Sequence, residues 1–194
     1  MPKWKRQLAA LSRWLHIYLS MASFGILFFF AVTGLTLNHT EWFANQQRTT
    51  QAKGSLDRKW LAEPVAKLEI VEHLRRVHGV RGALSDFRVD DSQCAVSFKS
   101  PGSTADTFID RAAGTYEINE TRMGFVAVIN DLHKGRDSGK GWSLMIDISA
   151  ILMTLVSLSG LILILFLQKR RASGLLAAAA GAILCYLVYA IWVP

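Results

Sequence analysis

Long apolar runs lie towards both ends of the chain, and a polar region separates them. The first run, Leu15–Leu37, contains no Lys, Arg, Asp or Glu, and the second, Trp142–Leu167, contains only Asp147. A third uncharged run is Leu175–Pro194. As helices, all three runs are long enough to cross a hydrocarbon core of about 30 Å. The pattern predicts an α-helical membrane protein with three transmembrane helices. The first run is too long for a cleaved signal peptide.

The polar region changes its periodicity along its length. Residues 45–63 are predicted to form a polar connector, and Pro64–Val77 an amphipathic helix, because its apolar residues recur at helical spacing. Alternation of apolar and polar residues then predicts four strands, which are Ala83–Val89, Gln93–Lys99, Thr104–Asp110 and Thr115–Asn119. A second helix, Thr121–Leu132, leads to His133. We therefore expect a small α+β domain inserted between transmembrane helices 1 and 2.

The basic residues predict the orientation in the membrane. The chain has a net charge of +7, and its two segments without acidic residues are rich in Lys and Arg, namely Lys3, Lys5, Arg6, Arg13 and Lys169, Arg170, Arg171. By the positive-inside rule both segments are cytoplasmic, the α+β domain lies on the outer side, and so does the C-terminus. The pI near 9.7 thus reflects orientation, and no basic stripe with interleaved aromatic residues indicates nucleic-acid binding.

The predicted domain boundaries follow from these segments. They are 1–38 for the basic N-terminus and helix 1, 39–141 for the outer domain, 142–168 for helix 2, and 169–194 for the cytoplasmic loop and helix 3. Of the two cysteines, Cys94 lies in the outer domain and Cys185 in helix 3. We expect no disulfide between them.

The sequence contains no metal-hydrolase motif, nucleophile elbow or dinucleotide fingerprint. The segment Gly135–Gly141 superficially resembles a phosphate-binding loop, but its glycine spacing is one residue short and no Ser or Thr follows Lys140. Asp147 lies inside the second apolar run, where an acidic residue either has a function or pairs with a base such as Lys140 or Arg136. These two alternatives remain open from the sequence.

The histidines are the strongest candidates for chemistry. His39 and His133 both lie just outside the outer membrane face, and two imidazoles from facing helices can fill both axial positions of a haem iron. The alternative is that both are polar residues of the interface. His16 is about 34 Å from His39 on a continuous helix, so the two cannot ligate one centre. His73 and His78 do not share a helix face, and we expect them to be solvated or capping residues.

Several motifs together resemble one family. They are Thr33-Gly34-Leu35-Thr36-Leu37-Asn38-His39 with Trp42-Phe43, Asp131-Leu132-His133-Lys134-Gly135-Arg136, Ile146-Asp147-Ile148-Ser149-Ala150 and Ser157-Leu158-Ser159-Gly160-Leu161. This set resembles the PepSY-associated transmembrane helix family over essentially the whole chain. The outer domain is similar to a PepSY-type α+β module.

The resemblance implies a function and a set of site residues. Larger relatives are haem-containing reductases of the bacterial inner membrane that reduce iron–siderophore complexes in the periplasm. By motif, His39 and His133 match haem ligands and His16 matches a histidine near the start of the first helix, a possible second haem ligand. Lys134 and Arg136 are then expected to contact the haem propionates. No flavin-attachment motif is present, so covalent FMN is not expected.

Two functions of different classes follow. The first is a haem b protein of the bacterial inner membrane that transfers electrons for periplasmic reduction, with an unknown electron donor and an unknown periplasmic acceptor. The second is a membrane-anchored PepSY module without enzymatic activity that binds or regulates a partner protein. Besides membrane lipid, we expect a second copy or another membrane protein to pack on helix 3, and a homodimer could bring two His16 side chains together.

Overall fold

The computed structural model describes residues 2–193. The elements in chain order are α1 (Lys3–Asn38), a 3₁₀ helix (Thr40–Gln46), β1 (Arg48–Ser55), a 3₁₀ turn (Arg58–Leu61), α2 (Lys67–His78), β2 (Ala83–Val89), β3 (Gln93–Ser100), β4 (Ser103–Asp110), β5 (Thr115–Arg122), α3 (Phe125–Lys134), α4 (Gly139–Phe166) and α5 (Arg171–Trp192). The chain divides into two compact units. The helical unit comprises the chain up to Phe28 and from Asp147 onwards, and the α+β unit comprises Phe29–Ile146.

Three helices, α1, α4 and α5, are long and apolar enough to cross a membrane. This confirms the three apolar helices predicted from the sequence. α1 begins at Lys3, well before the apolar run, because the basic N-terminal segment holds no residue after Pro2 that breaks a helix. The glycines that follow His133 have different roles. Gly135 ends α3 with a φ of 70°, whereas Gly139 and Gly141 lie in the first turn of α4.

A five-stranded antiparallel sheet with the order β1-β5-β4-β3-β2 forms the body of the α+β unit. The strand β1 was missed in the sequence, because residues 45–63 were expected to be a connector. β1 pairs with β5 along its whole length, from Arg48 opposite Arg122 to Ser55 opposite Thr115. Because β1 is an edge strand with mostly exposed side chains, it needs no alternating apolar residues.

The core of this unit lies between α2 and one face of the sheet. Ile70 and Leu74 of α2 and Val96 and Phe98 of β3 belong to one cluster of fully buried side chains. α2 ends at Gly79, which adopts the left-handed conformation. The predicted helix Thr121–Leu132 starts too early, since Thr121 still pairs with Thr104 in the sheet and α3 begins only at Phe125.

Small polar residues are buried in the helical unit. The hydroxyl-bearing residues Ser12 and Ser23 of α1 and Ser149 and Ser159 of α4 are buried, although both helices are mostly exposed. Small side chains allow helix backbones to approach closely, which is the usual way in which membrane helices pack. α5 has no buried residue in the part of the chain described. Cys94 and Cys185 are both free thiols, as predicted.

Candidate functional site

His133 lies in the last turn of α3 and packs against the end of α1. Its Nδ1 is 2.5 Å from the hydroxyl oxygen of Thr33, a residue that is almost fully buried. The ring of Phe30 meets the imidazole edge-on, with centroids 4.9 Å apart. A Cβ atom at Gly34 would lie 3.9 Å from the Cε1 of His133, which is an ordinary van der Waals distance. Phe30, Thr33 and Gly34 thus place one turn of α1 next to the imidazole.

The contact with Thr33 determines the tautomer of His133. The Thr33 hydroxyl has one hydrogen, which it donates to the backbone oxygen of Phe29 at 2.6 Å. The hydroxyl oxygen can then only accept from His133, so the imidazole carries its hydrogen on Nδ1. Its lone pair is on Nε2, which forms no hydrogen bond with residues 2–193. Metal-ligating histidines have this arrangement, with the second ring nitrogen donating to an oxygen.

Burial lowers the pKa of His133 below its ordinary value, and the charge of the adjacent Lys134 lowers it further. The neutral imidazole, which is the form that binds a metal, is therefore favoured at neutral pH. Since the folded pKa lies below the unfolded one, the unfolded chain takes up this proton first. The folded state then loses stability as the pH falls through the unfolded value of about 6.5.

We expect Thr33→Val to destabilise the protein by about 1–2 kcal/mol, because it keeps the shape of the side chain and leaves the buried Nδ1–H of His133 without an acceptor. Thr154→Val is the matched control, since Thr154 is exposed and its hydroxyl bonds only its own helix, at Ala150. Thermal unfolding in detergent measures both. Equal effects of the two substitutions would contradict the role assigned to Thr33.

His39 directly follows α1 and has different neighbours. Its Nδ1 is 3.2 Å from a carboxylate oxygen of Glu41, and its ring stacks on Trp42 at 4.1 Å with an interplanar angle of 5°. About a third of the side chain is exposed. Glu41 thus bonds the Nδ1 of His39, as Thr33 bonds the Nδ1 of His133. The Nε2 of His39 forms no hydrogen bond in the described residues.

No hydrogen bond or ring contact joins His39 and His133 among the residues described. His133 bonds Thr33, and His39 lies six residues beyond Thr33 in the chain, a rise of about 9 Å in a helix. Both belong to the α+β unit. The structure therefore places the two predicted ligands at the same end of α1, each with its own support.

His16 belongs to the helical unit, and its Nδ1 is bonded to oxygen atoms as that of His133 is. Its Nδ1 is 3.2 Å from both the backbone oxygen of Val156 and the hydroxyl of Ser159. Ser159 donates its own hydrogen to Val156 at 2.8 Å, so His16 donates from Nδ1. A Cβ at Gly160 would lie only 2.9 Å from the ring, so this glycine is required for the imidazole to pack on α4.

One of the two cations predicted to contact the haem propionates, Arg136, pairs with Asp131, a buried carboxylate for which the sequence predicted no role. Asp131 is 6% exposed and lies 2.6 Å from the guanidinium of Arg136. Its other oxygen accepts the backbone N–H of Gly102, in the turn between β3 and β4, at 2.8 Å. Asp131 thus joins the sheet to the helix that carries His133. Lys134 and Arg136 line a cavity of about 250 Å³, whose lining includes neither His39 nor His133.

His73 and His78 were expected to be solvated or capping residues; both are half-buried and contact Tyr116, and His78 lies in the last turn of α2. His78 Nε2 is 2.8 Å from the hydroxyl of Tyr116, and the His73 ring meets the same tyrosine edge-on. Burial lowers the pKa of His73, helped by the charges of Arg76 and His78. A Cβ at Gly54 would overlap the Tyr116 ring, so the glycine lets the phenol cross the edge strand. Within residues 2–193, no group of three or more His, Cys, Asp or Glu side chains could hold a metal ion.

A family model described as PepSY_TM-like matches residues 10–194, which is nearly the whole chain. The chain belongs to the PepSY_TM-like family. The resemblance noted in the motifs is thereby confirmed. No curated protein and no solved structure matches this PepSY_TM-like chain.

The motifs of this PepSY_TM-like protein contain the residues that hold the half-buried His16 and His133. Thr33 bonds His133 and Ser159 bonds His16, each through its hydroxyl. The adjacent glycines differ, since a Cβ at Gly34 would meet His133 at an ordinary distance whereas a Cβ at Gly160 would crowd His16. In each case a hydroxyl that is bonded to its own helix selects the Nδ1–H tautomer. Two of the motifs that resemble the family therefore orient imidazoles.

Proposed function

We propose that this PepSY_TM-like protein binds haem b in the bacterial inner membrane and transfers electrons for reduction in the periplasm. The observation that carries the proposal is the tautomer of His133. Thr33 holds its Nδ1–H, burial keeps the ring neutral, and Nε2 is free to bind a metal.

Two histidines have the form that binds a haem iron, with Nδ1 bonded to an oxygen and Nε2 free. His133 and His39, whose Nδ1 is bonded to Glu41, would hold the haem iron through their Nε2 atoms. When bound, haem would supply a one-electron carrier. Phe30, which packs edge-on against His133, would provide an apolar side chain beside the haem. Lys134 and Arg136 are the candidates for the propionates, and His16 for a second haem.

The absorption spectrum of protein purified in detergent, after expression with a haem precursor, tests this function. We expect a Soret band and the split visible bands of a reduced low-spin haem b. A colourless protein that is folded by circular dichroism would contradict the proposal. It would favour the other function, a membrane-anchored PepSY module that binds or regulates a partner.

The orientation proposed for this function places the N-terminus and the loop around Lys169 in the cytoplasm and the α+β domain in the periplasm, between the first two spans. It rests on the basic residues of those two segments. We expect alkaline phosphatase to be active when fused after Asn119 and inactive when fused after Ser173. The reverse pattern would invert the orientation and exclude a periplasmic role for His39 and His133.

A further inference from the structure

Asp147 is the one acidic residue within the three apolar runs of the chain. The sequence left open whether it has a function or pairs with a base such as Lys140 or Arg136. Arg136 pairs with Asp131 instead. Within residues 2–193, Asp147 forms no ion pair and no hydrogen bond, and its side chain is exposed on α4. The carboxyl group therefore has no partner among the described residues of its own chain.

The depth of Asp147 follows from a contact between the first two apolar helices. His16, near the start of the run Leu15–Leu37, bonds Ser159 of α4. Asp147 precedes Ser159 by 159 − 147 = 12 residues, which is about 18 Å along the helix. Because consecutive spans run in opposite directions, this distance carries Asp147 about halfway along the first run, which is about 34 Å long. In a membrane Asp147 is surrounded by hydrocarbon.

A carboxyl group at this depth needs a partner. Hydrocarbon offers no hydrogen bonds, so ionisable side chains in membrane spans pair with one another or with other polar groups. The buried residues Ser149 and Ser159 lie on another side of α4, whereas Asp147 is on the exposed side. The partner of Asp147 must therefore come from outside the chain described.

The side of α4 that carries Asp147 fits a second copy of the same helix. Ser143, Ala150 and Ser157 lie on this side, at spacings of three, four or seven positions, and all are exposed. Small side chains let two membrane helices approach closely. In a two-fold dimer about the membrane normal, each residue meets its own copy at the same depth, so small residues meet small residues. Asp147 then meets the partner's Asp147.

We propose that two copies of the chain dimerise along this side of α4, with the two Asp147 carboxyl groups hydrogen-bonded to each other. The three apolar runs contain no Lys or Arg, so a second copy offers Asp147 a carboxyl group and not a cation. Two adjacent carboxyl groups can share a proton, as the aspartate pairs of some proteases do. The site is incomplete in one copy. The inference uses no haem ligand and does not depend on the proposed function.

Sedimentation equilibrium of the full chain in detergent tests the proposal. We expect a dimer for the natural sequence. Asp147→Leu should weaken its association about five- to thirty-fold, the effect of one hydrogen bond between membrane helices. Leucine suits a position in lipid, so the helix content measured by circular dichroism should not change. Asp147→Asn should retain most of the association, because amide side chains also bond each other across helices.

Two outcomes would overturn the proposal. A monomeric natural chain would mean that Asp147 pairs with a different membrane protein that carries a basic residue at this depth. Equal losses of association in Asp147→Leu and Asp147→Asn would show that no hydrogen bond between the two side chains holds the dimer.

Cross-linking in membranes locates the interface. Ser143→Cys, in a chain with Cys185→Ser, should form a disulfide between two copies under copper-catalysed air oxidation. Met145→Cys in the same chain lies at nearly the same depth but on the other side of the helix, and it should not. Ala150→Leu should reduce the cross-link, and Ala182→Leu on α5 is the matched control that should not. The reverse result for either pair would place the interface elsewhere and overturn the proposal.

Discussion

Replacing His133 by alanine should abolish the low-spin haem spectrum of the purified protein. Among the histidines, the Nε2 of His133 is best suited to bind a metal, because Thr33 holds the ring hydrogen on Nδ1 and Phe30 packs against the ring. Loss of one of two axial imidazoles removes the strong-field ligand set that produces the low-spin state. The absorption spectra of the oxidised and reduced protein measure the effect.

His73→Ala is the matched control for this substitution. His73 is also half-buried in the α+β unit and also has a pKa lowered by burial, but its ring packs on Trp60 and Tyr116. It should retain the full spectrum. His39→Ala should lose the low-spin bands as His133→Ala does. A complete bis-histidine spectrum in His39→Ala would show that His39 is not a ligand, and His16 would be the residue to test next.

Gly102→Ala should lower the free energy of unfolding by about 2–5 kcal/mol. Gly102 has a φ of 69°, which costs a non-glycine residue about 1–2 kcal/mol. A Cβ there would also lie 2.5 Å from the Val128 side chain and 3.2 Å from its backbone nitrogen, and such overpacking costs about 1–3 kcal/mol more. The Gly102 N–H donates to Asp131, and its carbonyl accepts from Met123, so a shift also strains these bonds.

Gly79→Ala separates the two contributions. Gly79 has a similar φ of 64°, but a Cβ at this position would meet no atom within 4 Å, so only the conformational cost of about 1–2 kcal/mol remains. Thermal and chemical unfolding of both variants measures the difference. If the two substitutions are equally costly, the turn between β3 and β4 is not packed against α3 as described.

The sequence determined the elements whose signals are local. The three apolar helices follow from length and composition alone, and β2 was predicted with its observed bounds because apolar and polar residues alternate along it. β1 was not predicted, because an edge strand with exposed side chains has no such alternation. Its existence depends on β5, whose residues are more than 60 positions away at most of the paired positions.

The same division applies to the candidate site. The sequence identified His16, His39 and His133 as the residues with suitable chemistry, because imidazole is a haem ligand whatever its surroundings. Only the tertiary structure decided their tautomers, since the hydroxyl that bonds His133 is 100 residues away in the chain and the one that bonds His16 is 143 residues away.

Asp131 illustrates the physical reason most clearly. In the sequence it is one more acidic residue of a polar domain, and nothing within one helical turn indicates that it is buried. Its role comes from the turn at Gly102, which packing brings against α3 and which offers a backbone N–H to the carboxylate. Periodicity within an element reports which face is apolar, whereas hydrogen bonds between elements depend on how distant segments pack, and only the folded chain specifies them.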